Sequence, residues 1–563
     1  MRKVALVTAA IAAAVIFFLL ATLPPQPRQT NVTVNPELMR RTVSGAYHIH
    51  STRSDGAADK DAIAAAASRA GLAFIILTDH GDGMRTPDPP AYLHGVLCLD
   101  AVEISTNGGH YVALDMRPAP YPLGGEPSAV VEDVKRLGGF GIVAHPDSPR
   151  SQLAWKDWDA PFDGLEWLSA DSEWRDESRA RISQVLFDYL VRPAPALASL
   201  LDRPIATFAH WDDVIQRRPV VALAGVDAHG GIGRGMEEGG KRRPALGTVP
   251  SYEASFRTFT TRAILERPFS GDAAADAREL LAAVRTGRVF TLIDAIAAPG
   301  YFDVESDPPA DAKASARSRQ VASREGGPGA WLDYGIGDGA ELVMVRNGRE
   351  FPLLRAGASG RYQLTKEEMG IVRFEARVPY APGKPAVPWI VSNALYRAPF
   401  VIEMPTFGPD VTVPLGPDAV WHAEKDPDTQ AEIIASGGEV RLDYTLAGGT
   451  RRSQFAAAVT DFQGRAATFK AIRFSIVAVH PGRVSVQLRY RNGRGERWEK
   501  SVYVDNERRE VSVPVAGMVP ADFQQGQAPD TTGAGSLLFV VDLTNALPGG
   551  QNSISIAGVK FVK

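Results

Sequence analysis

The sequence predicts an α/β barrel followed by two all-β domains. The chain has 563 residues, which is too long for a single domain. From about residue 43 to residue 295, short apolar runs alternate with helical segments, a pattern typical of parallel βα units. After residue 330 the helical segments cease, and short strand-like runs are separated by turn residues, which is typical of all-β domains.

Residues 1–30 are predicted to form a signal anchor, or a signal peptide, with a proline-rich tether. The basic residues Arg2 and Lys3 precede an uncharged apolar run, Val4–Leu23. At about 1.5 Å per residue this run can cross a hydrocarbon core about 30 Å thick. Its length and the lack of a clean A-x-A site favour the anchor over the cleaved peptide. We therefore expect the protein to be exported. It would be anchored in the membrane and face the periplasm or cell exterior, or it would be secreted if the segment is cleaved.

Residues 31–300 are predicted to form the barrel. Its strands are expected in the apolar runs TVSGAYHIH, AFIILTDH, VLCLDAVEIS, HYVALDM, GFGIVAHP, FDGLEWLS and PVVALAGVDAH. Helices are predicted at DKDAIAAAASRAG, where Gly71 is a stop signal, at PSAVVEDVKRLGG, and at the long segment SEWRDESRARISQVLFDYLVR. About seven strands in a run of this length favour a barrel over a small open sheet.

The rest of the chain is predicted to form two β-rich domains. Residues 304–330 are rich in Pro, Ala, Ser and charged residues, which is typical of a linker or a long exposed loop. Residues 301–408 are predicted to form an Ig-like β-sandwich, in which Asn347 and Gly348 favour a hairpin turn. Residues 409–563 are predicted to form a β-rich jelly-roll, similar in general pattern to galactose- or carbohydrate-binding modules, which would make carbohydrate a partner.

Composition excludes some classes of function. The formal net charge of -4 and the pI near 6.2 are not those of a typical nucleic-acid-binding protein, so we expect no nucleic-acid partner. The chain has a single cysteine, Cys98, so an intrachain disulfide is impossible. A structural zinc site built from several cysteines is excluded for the same reason.

Histidines and carboxylates gather at the ends of the predicted strands. The motif HIH places His48 and His50 on one face of a strand, because residues i and i+2 point the same way. The carboxyl ends of parallel strands meet at one face, where active sites form. The residues at this face, counting His110 at the start of its strand, are His48, His50, Asp55, His80, Glu103, His110, His145, Asp227 and His229. Imidazole nitrogen and carboxylate oxygen suit zinc, iron or manganese.

Single members of this set have simpler interpretations. His80 and His110 could each be a hydrogen-bonded core histidine, and HIH alone could be a polar strand end. The occurrence of the whole series on successive strands predicts a metal site instead. Four further histidines have no such context and are interpreted as surface or structural residues: His94, His210, His422 and His480.

The ordered series HIH, SDG, TDH, VEIS, AHP and GVDAH resembles the PHP family, the polymerase-and-histidinol-phosphatase metallohydrolases, over residues 43–295. The resemblance implies a distorted (β/α)7 barrel of the PHP type with two or three divalent metal ions (Zn, Mn or Fe) at its mouth. It implies three ligand groups, which are His48, His50, Glu103 and Asp227 for the first metal, Glu103, His110 and His145 for the second, and Asp55, His80 and His229 for the third. Some members carry His at the position of Asp55.

Segments later in the sequence indicate one branch of this family. GVDAHG, ALGTVPSYEASFRTF and ARELLAAVRTGRVF are similar to the carbaryl-hydrolase branch of this family. The segment WIVSNALYRAP, which begins at Trp389, is similar to the one that closes the β domain in that branch.

Roles follow for five residues. Glu103 is expected to bridge two metals, since a carboxylate has two oxygens, and Asp227 is expected to bind a metal and take the proton of the attacking water. Asp79 is either a carboxylate that orients an imidazole or a plain strand-end cap. Arg53 and Arg150, beside ligand loops, either clamp an anionic substrate or are solvated loop residues.

Two further segments lie near these loops. Four tryptophans either form one wall of an aromatic pocket or belong to the core: Trp155, Trp158, Trp167 and Trp174. The glycine-rich segment 231–243, which follows His229, lacks the strand–GxxxxGK[ST]–helix form of a phosphate loop and is interpreted as a mobile lid.

The sequence therefore predicts an exported metal-dependent hydrolase that acts on a small-molecule ester. A phosphoesterase is the first hypothesis, and a carbamate, amide or carboxyl-ester hydrolase is the second. A third hypothesis, of another class, is a glycan- or surface-binding protein with an inactive barrel.

Overall fold

The computed structural model describes thirteen stretches of the chain, which are residues 2–231, 249–306, 330–353, 359–365, 368, 370–396, 411–415, 419–450, 454–462, 468–490, 496–521, 529 and 531–563. The protein is a mixed α/β structure with several β-sheets.

The first 300 residues contain all ten helices of the described chain. Their elements are α1 (Arg2–Thr22), β1 (Arg28–Gln29), α2 (Pro36–Arg41), β2 (Thr42–Tyr47), α3 (Lys60–Arg69), β3 (Phe74–Leu77), β4 (His80–Gly81), β5 (Ala91–Leu93), β6 (Val96–Asp100), β7 (Val102–Thr106), β8 (Gly109–Leu114), α4 (Pro127–Arg136), β9 (Phe140–Ala144), β10 (Gly164–Ser169), α5 (Ala170–Arg175), α6 (Arg179–Tyr189), α7 (Pro193–Ala198), α8 (Ile205–Arg217), β11 (Val221–Gly225), α9 (Tyr252–Phe256), β12 (Thr260–Ile264), α10 (Ala273–Arg285), β13 (Val289–Leu292) and β14 (Ala297–Ala298).

The remaining elements are strands and two short 3₁₀ turns, at Val515–Gly517 and Thr531–Gly533. The strands are β15 (Tyr301–Ser306), β16 (Ala330–Gly335), β17 (Glu341–Arg346), β18 (Arg349–Pro352), β19 (Ser359–Leu364), β20 (Ile371–Arg377), β21 (Ile390–Ser392), β22 (Leu395–Tyr396), β23 (Thr412–Pro414), β24 (Trp421–Lys425), β25 (Gln430–Ser436), β26 (Glu439–Thr445), β27 (Phe455–Asp461), β28 (Ala471–Ala478), β29 (Gly482–Tyr490), β30 (Arg497–Val504), β31 (Arg509–Pro514), β32 (Val519–Pro520), β33 (Ala534–Asp542) and β34 (Gln551–Val562).

Each of the seven strand runs predicted for the first domain contains a strand. They lie in two sheets, one with the order β11-β10-β9-β8-β7-β4 and another in which β13-β12-β2-β3-β6-β5 are neighbours. The run VLCLDAVEIS, predicted as one strand, is divided at Ala101 into β6 and β7, which belong to different sheets. The structure thus places one half of this run in each sheet.

The two sheets are linked at both junctions by backbone hydrogen bonds. On one side, the N–H of Val226 donates to the carbonyl of Tyr47 at 3.0 Å, and Ile49 forms a parallel bridge with Ala228. On the other side, the N–H of Glu103 in β7 donates to the carbonyl of Asp79, just past β3, at 3.2 Å. The segments just past β2, β3 and β11 therefore meet at the same edge of the structure.

Strand β8 departs from the expected parallel arrangement, because it pairs antiparallel with both β7 and β9. Only Asn107 and Gly108 separate β7 from β8, and so short a connection can join only antiparallel strands. The reversal has a useful consequence, since the start of β8, with His110, lies where its parallel neighbours end.

The helical segment predicted from Ser172 to Arg192 is divided into α5 and α6. The Oγ of Ser178 accepts the N–H of Arg181 at 3.2 Å and caps the second helix, so a new helix begins where the sequence predicted a continuous one. In the described part of the chain, no helix combines the length and apolar character needed to span a bilayer.

One continuous sheet contains strands from both sides of the domain boundary that was predicted at residue 300. Strand β21 pairs with β13, so that β18, β17 and β20 extend the sheet of the first domain. The indole N–H of Trp389 donates to the carbonyl of Ala297 at 2.9 Å, and the Asn393 amide bonds both backbone groups of Ala222. The segment that resembles a closing element thus packs into the same core. The predicted hairpin at Asn347 is confirmed, since β17 and β18 pair around it.

The C-terminal strands form two facing sheets with their own apolar core. One sheet has the order β25-β26-β34-β28-β31, with β23 on β34, and the other has the order β24-β27-β33-β29-β30-β32. Leu442, Phe474 and Phe539 are fully buried between the two sheets. All pairings are antiparallel, and the alternating burial along β28 is typical of a sandwich strand with one face in the core.

Candidate metal centre

The motif HIH lies just past the end of β2 and brings two imidazoles onto the same two carboxylates. The Nε2 atoms of His48 and His50 lie 3.3 and 3.2 Å from Oε2 of Glu103. They also lie 3.4 and 3.2 Å from Oδ1 of Asp227. Two atoms bound at about 2.1 Å to one ion in tetrahedral or octahedral geometry are themselves about 3.0–3.4 Å apart. The four side chains therefore have the spacing of ligands to one shared cation.

Glu103 lies at the centre of the cluster. Its Oε1 is 2.7 Å from Nδ1 of His110 and 3.0 Å from Nε2 of His145. Its Oε2 faces His48 and His50, and it is also 3.2 Å from Nδ1 of His80. The side chain is 1% exposed. One carboxyl group thus contacts five imidazoles, which is the arrangement expected of a bridging ligand.

Asp55 lies among a third group of possible ligands. Its Oδ2 lies 3.3 Å from Nε2 of His229 and 3.7 Å from Nε2 of His80, and its Oδ1 lies 3.4 Å from Nδ1 of His50. The rings of His50 and His229 stack with their centroids 4.3 Å apart. The donor atoms of these four residues all lie within 4.8 Å of one another.

All nine predicted ligands converge in this one region. Their donor atoms form four overlapping groups, which are His50, Asp55, His80 and His229; His48, Glu103 and His145; His48, His50 and Asp227; and His80, Glu103 and His110. One group is the third ligand set implied by the resemblance with His50 added, and another is the first set without Glu103. The second implied set is divided, because Glu103 is grouped with His145 in one place and with His110 in another.

Unsatisfied polar atoms support a metal in this region. The buried atoms His50 Nε2, His80 Nδ1, His145 Nδ1 and Asp227 Oδ1 make no hydrogen bond of acceptable geometry. A buried polar atom without a partner costs about 1–3 kcal/mol, more if it is charged. A divalent cation between His50 Nε2 and Asp227 Oδ1, which lie 3.2 Å apart, would satisfy both of these atoms at once, so the residues fit a metal with N/O preference.

The backbone is strained at three ligands. His48, His145 and Asp227 have φ values of 67°, 31° and 44°, in the left-handed region that side chains other than glycine rarely adopt. Each such residue costs on the order of 1 kcal/mol and persists only where the surroundings impose it. Each follows the end of a strand directly or closely, and the turn aims its side chain into the cluster.

The charges of the cluster are strongly coupled. Burial opposes ionisation of Glu103, but His80, His48 and His110 hold its pKa well below the usual range. Burial likewise opposes ionisation of Asp227, whose pKa is lowered by His48 and His229. These carboxyl groups are therefore anionic at neutral pH, which favours cations in the site.

Sequence reasoning missed Glu166, which positions two of the ligands. The Nδ1–H of His48 donates to Oε1 of Glu166 at 2.6 Å, and the N–H of His145 donates to Oε2 at 2.7 Å. Gly225 leaves the room for this carboxyl group, since a Cβ atom there would lie 2.3 Å from Oε1. The available signal was an acidic residue inside the apolar run FDGLEWLS, because a carboxyl group is almost never fully buried without a partner.

Of the two roles predicted for Asp79, the structure favours the cap over the orientation of an imidazole. Its Oδ1 and Oδ2 accept the hydroxyl groups of Ser54 and Ser51, both at 2.6 Å. Oδ1 also accepts the N–H of Ser51 at 2.8 Å. Asp79 therefore fixes the loop that follows HIH, and it acts on the ligands only through that loop.

The two predicted substrate arginines lie in different clefts beside the cluster. Arg53 is paired with Asp100 at 3.1 Å and with Asp88 at 2.8 Å, in a cleft of about 460 Å³ that His80 also lines. Because the guanidinium group of Arg53 already pairs with two carboxylates, it is less suited to clamp an anion than the sequence indicated. Arg150 lines a second cleft, of about 380 Å³, together with Asp227 and His229.

Only one of the four tryptophans lines a cleft beside the cluster. Trp174 lies in the same cleft as Arg150. Trp155 packs near Tyr111, and Trp167 stacks on Phe208 in the core. Trp158 stacks on His210, with ring centroids 4.0 Å apart, and so does not reach the metal ligands.

The other predicted surface histidines lie away from the cluster. His94 pairs with Asp61, His422 lies beside Glu424, and His480 is exposed. Of the glycine-rich segment predicted as a lid, all but Gly231 lies outside the described residues.

Comparisons with known proteins give structural likenesses only. No family model matches the chain, and no curated protein matches it. The crystal structure of a two-domain protein containing a predicted PHP-like metal-dependent phosphoesterase, from Bacteroides vulgatus, is 16% identical, covers 65% of this chain and 100% of its own, and has a TM-score of 0.29. A family 11 carbohydrate-binding module of a cellulosomal cellulase from Clostridium thermocellum is 14% identical, covers 28% of this chain and 96% of its own, and has a TM-score of 0.22.

Proposed function

We propose that the protein is a metal-dependent hydrolase of the PHP type that cleaves a small phosphoester. The observation that carries the proposal is the contact of Glu103 with five imidazoles, in a cluster of nine potential ligands. Such a set can hold two or three divalent ions, and these ions lower the pKa of bound water and polarise the oxygens of a bound ester. No other described group of residues on the chain combines so many nitrogen and carboxylate donors.

The residues of the chain would have different roles in the reaction. Glu103 holds the two halves of the cluster together through its two oxygens. Asp227 lines the cleft over the cluster and also faces His48 and His50, so it can accept the proton that the attacking water loses. Glu166 and Asp79 act one step further out, because they fix ligand side chains and the loop after HIH.

We also propose that β2, β3, β6 with β7, β8, β9, β10 and β11 act as the distorted seven-stranded barrel expected of this family. The backbone hydrogen bonds at both junctions of the two sheets support this view. The ligands then lie at one mouth of the barrel, contributed by the ends of β2, β3, β9 and β11 and by the starts of β7 and β8. The assignment to the carbaryl-hydrolase branch rests on the similarity of sequence segments.

Export remains part of the proposal. The apolar run after Arg2 and Lys3 supports a signal anchor or a signal peptide. Fractionation of cells that produce the full chain, with protease added to intact cells or spheroplasts, tests it. Export predicts that the protein is digested from outside, and full protection of the protein would contradict it.

Carbohydrate binding by the C-terminal sandwich is proposed on the pattern of its sequence. A cleft in this sandwich is lined by Gln430 of β25, Asp443 of β26 and Asn552 of β34, and by His480 just past β28. Affinity electrophoresis of the full chain in gels with and without soluble glucans tests this role. Retardation by one glucan would support binding, whereas equal mobility in every gel would contradict it.

The test of the hydrolase proposal compares two substrates on the metal-loaded protein. We expect 4-nitrophenyl phosphate to be hydrolysed faster than a 4-nitrophenyl carbamate, with one or more metal ions bound per chain by elemental analysis. Glu103→Gln should lose most of the metal and of the activity. A protein that hydrolyses only the carbamate would support the second hypothesis, and less than one metal ion per chain without hydrolysis would support an inactive barrel.

A further inference from the structure

Two carboxyl groups of α5, those of Asp171 and Glu173, share the cleft of about 380 Å³ with the metal ligands. Asp227 and His229 line it from the cluster, and Glu173 and Trp174 line it from α5. Apolar side chains complete its walls, among them Leu200, Leu201 and Phe259. An ester held at the metals would extend its leaving group into this space, because the cleft opens directly over two ligands.

Glu173 is held rigidly in the wall of the cleft. Its side chain is 4% exposed, and its Oε2 accepts the backbone N–H of Asp202 at 2.7 Å. The helix that carries it begins directly after β10, the strand that carries Glu166. Glu173 belongs to none of the four ligand groups found among the described residues.

The surroundings of Glu173 keep its carboxyl group protonated. Burial is the main cause and raises its pKa to about 9, although the hydrogen bond from the Asp202 amide works in the opposite direction. The carboxylates of Asp202, Asp176 and Asp147 raise the pKa further. The charged groups on the neighbouring elements are Asp171 and Arg175 on α5 (paired with each other), Asp147 and Arg150 after β9, Asp202 after α7, and Asp227 and His229 after β11.

We propose that Glu173 is the general acid of the hydrolysis, donating its proton to the oxygen of the departing alcohol. This step rests on the proposed phosphoesterase function. The water oxygen forms a bond to phosphorus as the bond from phosphorus to the leaving oxygen breaks. The leaving oxygen takes the proton of Glu173 and departs as a neutral alcohol. The attacking water gives a proton to Asp227, which then releases it to solvent, and Glu173 regains a proton from solvent, so atoms and charge balance.

A general acid matters most when the leaving group is a poor one. An alkyl alcohol cannot depart readily as an alkoxide, whereas 4-nitrophenolate is stable without a proton. Protonation by a placed side chain typically contributes about 10²–10⁴-fold to such a reaction. The role of Glu173 should therefore appear as a dependence on the leaving group, which a purely structural role would not produce.

The test compares Glu173→Gln with the wild type on butyl phosphate and 4-nitrophenyl phosphate, in the metal-loaded full chain. We expect kcat on butyl phosphate to fall about 100-fold and kcat on 4-nitrophenyl phosphate to change less than about 3-fold. The fall in activity of the wild type above about pH 9 should be absent from the variant. Glu177→Gln, two residues past the end of α5, is the matched control and should change neither rate.

Infrared difference spectra give a readout that does not depend on turnover. The wild type at pH 7 should show a protonated carboxyl band that is missing from Glu173→Gln and retained in Glu177→Gln. Absence of that band, or an equal loss of rate on both substrates, would overturn the role of Glu173 alone. A metal-loaded wild type that hydrolyses neither phosphate would instead overturn the phosphoesterase proposal, and this step with it.

Discussion

Replacement of Glu166 by glutamine should weaken metal binding, although Glu166 contacts no metal position itself. Its two oxygens accept two different donors, the Nδ1–H of His48 at 2.6 Å and the backbone N–H of His145 at 2.7 Å. A glutamine side chain offers one oxygen and one NH₂ group. One of the two donors must then face another donor, so at least one hydrogen bond is lost in a fully buried place.

The size of the effect follows from that lost bond. Leaving one buried donor without an acceptor costs about 1–3 kcal/mol. Because the bond orients a ligand, most of this cost should fall on the metal-bound state, and the loss of a residue that orients a metal ligand typically lowers metal affinity about 10–100-fold. That range corresponds to about 1.4–2.7 kcal/mol, in agreement with the cost of the lost hydrogen bond.

Competition with a chromophoric chelator measures the change in affinity. Glu126→Gln is a suitable control, because Glu126 is also a buried carboxyl group, but it bonds Ser501 and Lys500 at the contact with the C-terminal sandwich. We expect Glu166→Gln to lose metal affinity about 10–100-fold and Glu126→Gln to keep it within about 2-fold. An unchanged affinity in Glu166→Gln, with normal folding by circular dichroism, would refute the role assigned to this residue.

Three further predictions follow from the cluster. Asp227→Asn should keep much of its metal but lose at least about 100-fold in kcat, and full activity in this variant would exclude Asp227 as the base. Gly56→Ala should lose metal by elemental analysis, because its Cβ atom would lie 2.1 Å from the carbonyl oxygen of His50. Gly448→Ala is the control and should keep its metal, because a Cβ atom there meets open space. Equal metal contents in the two variants would contradict this prediction. Burial lowers the pKa of His50, but Asp227 and Glu103 raise it to about 10, so this imidazole holds a proton at neutral pH until a metal displaces it. Metal affinity should therefore rise with pH between about pH 6 and pH 9, with protons released on binding in calorimetry, and a flat profile would contradict it.

The residues of the candidate site were largely predictable from the sequence because most of them lie at or just past the end of a recognisable strand run. Apolar runs such as AFIILTDH identify the strand, and the convergence of strand ends brings distant residues together. His110 was predicted for the right region although its strand runs antiparallel, because the tight turn after β7 places the start of β8 beside the ends of its neighbours.

Features that depend on packing could not be predicted in the same way. Glu166 lies within an apolar strand run, and only the contacts of its buried carboxyl group reveal its role. The pairing of Arg53 with Asp88 and Asp100 depends on loops that the sequence pattern does not align. Likewise, the pairing of β21 with β13 joins segments about a hundred residues apart, and the pattern of apolar residues within either segment cannot predict such a contact.

Anomalous diffraction from crystals loaded with Mn²⁺ would show directly whether these side chains hold metal ions together. We expect at least two anomalous peaks, one within about 2.4 Å of donor atoms from His48, His50 and Asp227, and a second that shares Glu103 with the first. Fully loaded crystals with no peak among these side chains, or with peaks only elsewhere on the chain, would contradict this expectation.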